Sequence, residues 1–124
     1  MSKRILIVDD DHAIREGFGQ VLRRAGYEVD LADNGDVART LFEDRDHDLV
    51  ITDLLMPRSH GLSLIQELRD VSKDVPIIAI SGGGTARRGA LLETASKFGA
   101  DLTLQKPVSV SELKAVVNQF LSSD

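Results

Sequence analysis

Short apolar segments and amphipathic segments alternate along the chain, and this alternation limits the possible folds more than any other feature of the sequence. Five segments have the length and apolar character of strands: Ile5–Val8, Glu28–Ala32, Leu49–Thr52, Ile77–Ile80 and Leu102–Gln105. Between and after them, apolar residues recur every three or four positions, as in helices that pack on one face. The alternation predicts an α/β fold, in which right-handed crossovers place helices on both faces of a parallel sheet.

Five stretches have helical periodicity, each with apolar residues on one face. These residues are Ile14, Phe18, Val21, Leu22 and Ala25; Val37, Ala38, Leu41 and Phe42; Leu62, Ile65 and Leu68; Leu91, Ala95 and Phe98; and Leu113, Val116, Val117, Phe120 and Leu121. Gly26 and Gly99 stand where helices are expected to end, and Ser109 with Glu112 has the spacing of a capping box. No linker or repeat interrupts the sequence, so we expect five helices and one domain over residues 1–124.

Composition excludes several classes of protein. The chain has 20 acidic and 15 basic residues and a net charge of −5, so we expect no direct binding of nucleic acid. It has no cysteine, which excludes disulfides, thiolate catalysis and cysteine-based zinc sites. Its apolar segments are far shorter than the ~18 residues of a membrane span, and its start, MSKRILIVDDD, does not resemble a signal peptide. We therefore expect a soluble cytoplasmic protein without membrane contact.

Polar residues stand at the ends of four predicted strands. Asp9 and Asp10 follow the first strand, Asp53 the third, Ser81 the fourth and Lys106 the fifth. The carboxyl ends of parallel strands meet at one edge of the sheet, and ligands bind there at the point where the strand order reverses. Any one of these residues is explained well enough as the point where a strand meets water. The five together predict a binding site.

The acids at this edge predict a metal ion. Two carboxylates ~4 Å apart repel by about 4 kcal/mol at an effective dielectric constant of 20, so three of them need a cation, and one lysine is too few. Oxygen ligands favour Mg²⁺, which keeps some of its waters and binds substrate oxygens. A metal beside a lysine and a hydroxyl suits a phosphoryl group, and one acid can then act as a nucleophile that forms an acyl phosphate.

Over essentially its whole length, the chain resembles the receiver domain of two-component response regulators, of the chemotaxis-regulator type. The segments ILIVDDD, ITDLLMP, AISG and LQKP carry the resemblance in their order and spacing. The resemblance implies a flavodoxin-like, doubly wound sheet of five parallel strands in the order 2-1-3-4-5. It also implies a signalling phosphoacceptor that catalyses only its own phosphorylation and dephosphorylation, rather than an enzyme with an external substrate.

The resemblance implies a role for each acid at this edge of the sheet. Asp53 would be the phosphoacceptor. Asp10, Asp53 and the backbone carbonyl of Leu55 would bind Mg²⁺ directly, and Asp9 would help through a water molecule.

The same resemblance implies the roles of the other site residues and the partners. Ser81 would form a hydrogen bond with the phosphoryl group, and Lys106 would pair with it. The peptide bond between Lys106 and Pro107 is often cis in the family. The phosphoryl group would come from a sensor histidine kinase or a histidine phosphotransfer protein, and the signal would pass to a downstream target or output domain that the sequence does not identify.

Several residues depart from the family's usual pattern, and three of these departures concern the site and the switch. His60 stands where Asp is common, Leu55 where a polar residue is common, and Thr103 where the fifth strand usually carries Tyr or Phe. In many receivers that aromatic side chain turns inward when the hydroxyl residue moves to the phosphoryl group. Because Thr is too small for this movement, we expect the response to phosphorylation to stay concentrated in the loop 82–88 and the start of the fourth helix.

Two other functions remain open. A phosphatase or phosphotransferase of the haloacid-dehalogenase kind also uses an aspartyl nucleophile and Mg²⁺, but it needs a second acid two residues later, where this chain has Leu55. A flavodoxin-like interaction module that is never phosphorylated would not need the acids, the hydroxyl and the lysine. The segment SGGGTARRG lacks the Lys-Ser/Thr pair of a nucleotide-binding loop. His12, His47 and His60 lack the spacing of metal ligands and are predicted to lie on the surface.

Overall fold

A parallel sheet forms the centre of the fold, and its strands match the five predicted segments. The computed structural model describes residues 2–56, 59–82 and 95–122. The strands are β1 (Arg4–Val8), β2 (Glu28–Ala32), β3 (Leu49–Asp53), the short β4 (Leu55–Met56) and β5 (Ser59–His60), β6 (Ile77–Ser81) and β7 (Leu102–Gln105). The sheet has the order β2-β1-β3-β6-β7, and all of its pairs are parallel. This confirms the predicted order 2-1-3-4-5, while β4 and β5 form a separate antiparallel pair.

Three helix ends lie at the signals expected from the sequence, Gly26, Gly99 and Ser109, and the structure adds the N-caps Asp11 and Asn34. They are α1 (His12–Arg24), α2 (Gly35–Asp44), α3 (Gly61–Val71) and the C-terminal helix (Val110–Leu121). Asp11, Asn34 and Ser109 are N-caps, and each side chain accepts a hydrogen bond from the backbone amide of the residue three positions later. Gly26 and Gly99 have φ values of +100° and +121°, which glycine adopts without strain.

The predicted fourth helix falls only partly within the described residues. Residues 95–98 are helical, and the segment 83–94, which includes Leu91, lies outside the described ranges. Within those ranges, no helix is long and apolar enough to cross a membrane.

Each face of the sheet carries its own apolar core. Residues of α2 and α3 pack with Leu6 and Val8 of β1 on one face. Residues of α1 and of the C-terminal helix pack with Ile5 and Ile7 on the other face. Because successive side chains of a strand alternate between faces, a central strand covered on both sides must be apolar throughout. This explains the uninterrupted apolar runs of β1, β3 and β6.

Three residues assigned to apolar helix faces are exposed. Ala25 is the C-cap of α1, while Val37 and Phe98 are 40% and 36% exposed. Ala25 lies beyond the last full turn of its helix. Val37 lies in the first turn of α2, and its neighbour Ala38 is fully buried instead. A periodic pattern identifies the apolar face of a helix. The extent of the sheet surface on which the helix packs decides which residues at the margin of that face are buried.

His47 is buried, so the predicted surface position of this residue is wrong. Its side chain is 0% exposed, its ring stacks on Phe42 with centroids 5.7 Å apart, and its Nε2 lies 2.8 Å from Asp30 Oδ2. The same carboxylate also pairs with the guanidinium groups of Arg4 and Arg45. An aromatic ring on one side and an acid at its edge make a buried site for His47, and these two partners come from α2 and β2. His12 is exposed, as predicted, and the side chain of His60 lies outside the described part of the structure.

Candidate functional site

The carboxyl edge of the sheet brings together acids that are far apart in sequence. Asp53 is the last residue of β3, and Asp9 directly follows β1, its neighbour in the sheet. Asp9, Asp10 and Asp53 each offer a carboxylate oxygen within 4.8 Å of the others. Asp53 is only 4% exposed and Asp9 is also buried, whereas Asp10 is exposed. The predicted acidic cluster is therefore present, and it has one side open to solvent.

Lys106 reaches this cluster from the loop after β7. Its Nζ lies 3.1 Å from Asp9 Oδ2 and 3.4 Å from Asp53 Oδ2. Burial disfavours the ammonium ion and acts to lower the pKa of Lys106, but the charges and hydrogen bonds of Asp53 and Asp9 outweigh it and raise this pKa above its ordinary value. The lysine is therefore a positively charged partner of both buried acids.

The backbone around Lys106 fixes where its side chain starts. The Lys106 amide donates a hydrogen bond of 2.8 Å to the Ser81 carbonyl, and the Lys106–Pro107 peptide bond is cis, as expected. A Cβ atom on Gly82 would lie 2.9 Å from Lys106 Cδ. The structure shows that the lack of a side chain at Gly82 makes room for the lysine, a role that the sequence did not indicate. The strand register explains the proximity, because Ser81 pairs with Gln105 and the next residues, Gly82 and Lys106, are therefore neighbours.

Ser81 lies at the same edge, on the last residue of β6. It is almost completely buried, and its hydroxyl lies 3.5 Å from the Gly82 carbonyl, at the limit of a hydrogen bond. The adjacent strand contributes Asp53, whose register partner is Ile80, one residue before Ser81. The hydroxyl therefore stands one step along the sheet edge from the acid, as the sequence predicted.

Asp9 is held by contacts through both its backbone and its side chain. Its amide donates to the Ala32 carbonyl, and its Oδ1 accepts a hydrogen bond of 2.9 Å from the Asp11 amide. Its carbonyl accepts a hydrogen bond of 2.8 Å from Arg15 Nη1. Arg15 was missed by sequence reasoning, because nothing in its position along α1 indicates that its long side chain turns back toward the end of β1.

The residues of this edge fit a divalent cation. Three carboxylates supply hard oxygen ligands, and with the single lysine they leave two negative charges, which one divalent ion would neutralise. Leu55, the expected source of a backbone carbonyl, lies in β4 two residues after Asp53. The donor set therefore suits Mg²⁺ better than a softer metal.

The expected switch elements are only partly visible. Most of the loop 82–88, where the response to phosphorylation is expected, lies outside the described residues. Thr103 lies in β7 opposite Ala79 and is half-buried. The prediction that Thr103 limits the spread of the response therefore stays a prediction.

An α/β fold with acids and a lysine at the carboxyl edge of its parallel strands defines a class of protein, and comparisons with known proteins identify it. Residues 5–118 match the model of the response regulator receiver domain. The chain therefore belongs to the receiver-domain family, the phosphoacceptors of two-component signalling.

Similar proteins support this membership. The chain is 38% identical over 122 residues to the response regulator MprA of Mycobacterium sp. (strain KMS), covering 98% of this chain and 51% of that protein. It is 28% identical to a CheY-like receiver domain protein from Methanospirillum hungatei JF-1, with a TM-score of 0.89 and coverage of 98% and 95%. A response regulator from Burkholderia pseudomallei is 30% identical, with a TM-score of 0.83 and coverage of 98% and 68%. The chain thus spans about half the length of the curated relatives it matches.

Proposed function

We propose that residues 1–124 form one receiver domain that accepts a phosphoryl group on Asp53 in a Mg²⁺-dependent reaction and signals through a conformational change. The observation that carries the proposal is the position of the Asp53 carboxylate, which is buried at the end of β3, 3.4 Å from the Lys106 ammonium and within 4.8 Å of carboxylate oxygens of the other two acids. The donor would be a phosphohistidine on a sensor histidine kinase or a histidine phosphotransfer protein. The protein would act in the cytoplasm and catalyse only its own phosphorylation and dephosphorylation.

In this reaction an oxygen of Asp53 forms a bond to phosphorus while the bond from phosphorus to the donor's imidazole nitrogen breaks, and its electron pair stays on the ring. The side chain changes from about −1 to about −2 in charge. Lys106, already 3.4 Å from Asp53, would pair with the added charge, and the Ser81 hydroxyl would donate a hydrogen bond to it. Asp10, Asp53 and the Leu55 carbonyl would hold Mg²⁺ directly and Asp9 would help through a water molecule, and the bound ion would neutralise charge on the phosphoryl oxygens.

Two of the similar proteins support this proposal. The Burkholderia pseudomallei structure is described as having a phosphorylated aspartic acid and a calcium ion. That description agrees with an aspartate as phosphoacceptor and with a divalent cation in the protein. The MprA relatives are about twice as long as this chain, so we also propose that the receiver acts on an output domain or a separate target.

Treatment with acetyl phosphate and Mg²⁺ tests the proposal directly. We expect intact-mass spectrometry to show one added phosphoryl group, which is lost in base. A chain that is never labelled would favour the interaction module. Steady hydrolysis of an added phosphomonoester would favour the haloacid-dehalogenase alternative, although position 55 lacks the acid that such an enzyme uses.

Mg²⁺ is expected to stabilise the fold, because it binds carboxylates that repel each other in its absence. At ten times its dissociation constant, a ligand specific for the folded state adds about 1.4 kcal/mol to the free energy of unfolding. Thermal unfolding with Mg²⁺ and with EDTA should therefore differ by a few degrees. Asp10→Asn should remove most of this difference, and equal melting temperatures for the unmodified chain in both conditions would contradict the metal site.

Gly17 tests the surface that a phosphohistidine donor would contact. We expect the donor to approach the first turns of α1 and Pro107, as the family resemblance implies for Ala13, Ile14 and Gly17. A Cβ atom on Gly17 would have no neighbour within 4 Å, so Gly17→Lys should fold normally and project a long side chain from α1. Phosphotransfer from the donor protein should slow, while labelling by acetyl phosphate should not change. Unchanged phosphotransfer would remove this part of α1 from the interface.

A further inference from the structure

Among the three acids of the cluster, Asp10 differs because its side chain is exposed and is not paired with Lys106. Asp9 and Asp53 are buried and paired with Lys106, whereas Asp10 is exposed. In the part of the chain that the structure describes, the Asp10 carboxylate makes no hydrogen bond or ion pair. Its position toward the other two acids is therefore set by the backbone that carries it.

Two contacts fix that backbone, one on each side of Asp10. After Asp10, the Asp11 amide donates to Asp9 Oδ1 at 2.9 Å. Before Asp10, the Asp9 carbonyl accepts a hydrogen bond of 2.8 Å from Arg15 Nη1. This carbonyl belongs to the same peptide plane as the Asp10 amide. The peptide plane cannot turn without breaking this bond. Arg15 therefore restricts the direction in which the Asp10 side chain projects from the backbone.

Arg15 is itself held in place. Its other terminal nitrogen, Nη2, lies 3.1 Å from Nδ1 of His12, and the side chain is half-buried against the start of α1. The planar guanidinium can therefore engage the ring and the carbonyl at once, through two nitrogens in a fixed relative position. A flexible ammonium group would lack this geometry.

From these contacts we infer that Arg15 is a positioning residue, which orients Asp10 for the divalent cation through the peptide between Asp9 and Asp10. The inference rests on the proposed Mg²⁺ site. Residues that orient metal ligands, without touching the metal, commonly account for about tenfold or more of its affinity.

The charge of Arg15 and its positioning role have opposite effects on Mg²⁺ affinity, so a measurement can distinguish them. A cation near the cluster repels Mg²⁺, so removal of its charge alone would tighten metal binding. Loss of positioning would weaken it. Arg15→Met removes both the charge and the hydrogen bonds while keeping a long aliphatic side chain. Arg15→Lys keeps the charge but lacks the two fixed donor nitrogens of the guanidinium. Arg24→Met is the matched control, because Arg24 lies exposed at the end of the same helix.

The experiment measures the Mg²⁺ dissociation constant of the 124-residue chain and its variants from the backbone amide shifts of residues 9–11. We expect the dissociation constant to rise about tenfold for Arg15→Met and at least as much for Arg15→Lys, which loses the positioning geometry but keeps the repelling charge, with no change for Arg24→Met. Equal or tighter binding by Arg15→Met would overturn the inference. If Arg15→Met does not fold, unaltered binding by Arg15→Lys would overturn it.

Two further results separate this role from others. Thermal unfolding in EDTA measures any purely structural contribution, and a lower melting temperature with an unchanged dissociation constant would assign Arg15 to stability alone. Failure of the unmodified chain to bind Mg²⁺ would instead contradict the proposed function. A weaker dissociation constant in the Arg15 variants, with the unmodified chain binding normally, supports the inference.

Discussion

Asp53→Asn is expected to abolish phosphorylation by acetyl phosphate. An amide oxygen is a poor nucleophile, and this substitution leaves the size and shape of the side chain almost unchanged. The other two acids cannot easily replace it, because Asp9 already engages Lys106 and the Asp11 amide, and Asp10 stands at the exposed side of the cluster. Intact-mass spectrometry after treatment with acetyl phosphate and Mg²⁺ should show no added phosphoryl group.

The matched control is Asp46→Asn, since Asp46 is an exposed aspartate in the loop before β3, outside the acidic cluster. This variant should be labelled like the unmodified chain. Circular dichroism should show that Asp53→Asn is folded, because it removes one charge from a cluster in which acids repel each other. Undiminished labelling of a folded Asp53→Asn variant would place the nucleophile elsewhere.

Arg69→Ala is expected to lower the free energy of unfolding by about 3 kcal/mol, because the guanidinium joins several segments at the edge of the sheet opposite the site. Its Nε and Nη2 donate to the Gly99 carbonyl, and its Nη1 donates to the Val75 carbonyl at 2.6 Å. Nη2 also pairs at 2.7 Å with Asp101, whose same oxygen accepts the Ile77 amide at the start of β6. The variant should melt roughly 10 °C lower.

Two variants test this explanation. Arg39 forms an ion pair with Glu67 in which both side chains are 44% exposed, so Arg39→Ala should cost less than about 1 kcal/mol. Arg69 is only 18% exposed, and Arg69→Lys should lose most of the stability because an ammonium cannot reproduce the donor geometry. Equal losses for Arg39→Ala and Arg69→Ala would show that Arg69 acts only as a surface charge.

The strands and caps could be predicted from the sequence because their signals are local. All five predicted sheet strands are present, and the structure extends three of them by one residue, to Arg4, Asp53 and Ser81. The last two of these extensions matter, because they make Asp53 and Ser81 the final residues of strands rather than loop residues. Ser109, Gly26 and Gly99 act where their types predict, because capping depends on one residue and its nearest neighbours.

The membership of the candidate site also followed from the sequence, because parallel strands bring their carboxyl ends to a single edge. That rule places Asp9, Asp53 and Ser81 together without any knowledge of side-chain contacts. It does not say which acid is buried, or that Lys106 contacts two of them. Those properties depend on distances of a few ångströms between residues far apart in the sequence, such as Lys106 and Asp53, which are 53 positions apart.

The sequence by itself determined the alternation of strands and helices, which polar residues meet at the sheet edge, and the caps at Gly26, Gly99 and Ser109. Only the tertiary structure decided that His47 is buried against Phe42 and Asp30, that Arg69 joins α3 to Gly99 and Asp101, and that Arg15 holds the Asp9 carbonyl. Periodicity records which face of an element is apolar. The partners of a long polar side chain are chosen by the segments that folding brings within its reach, and no local pattern records them.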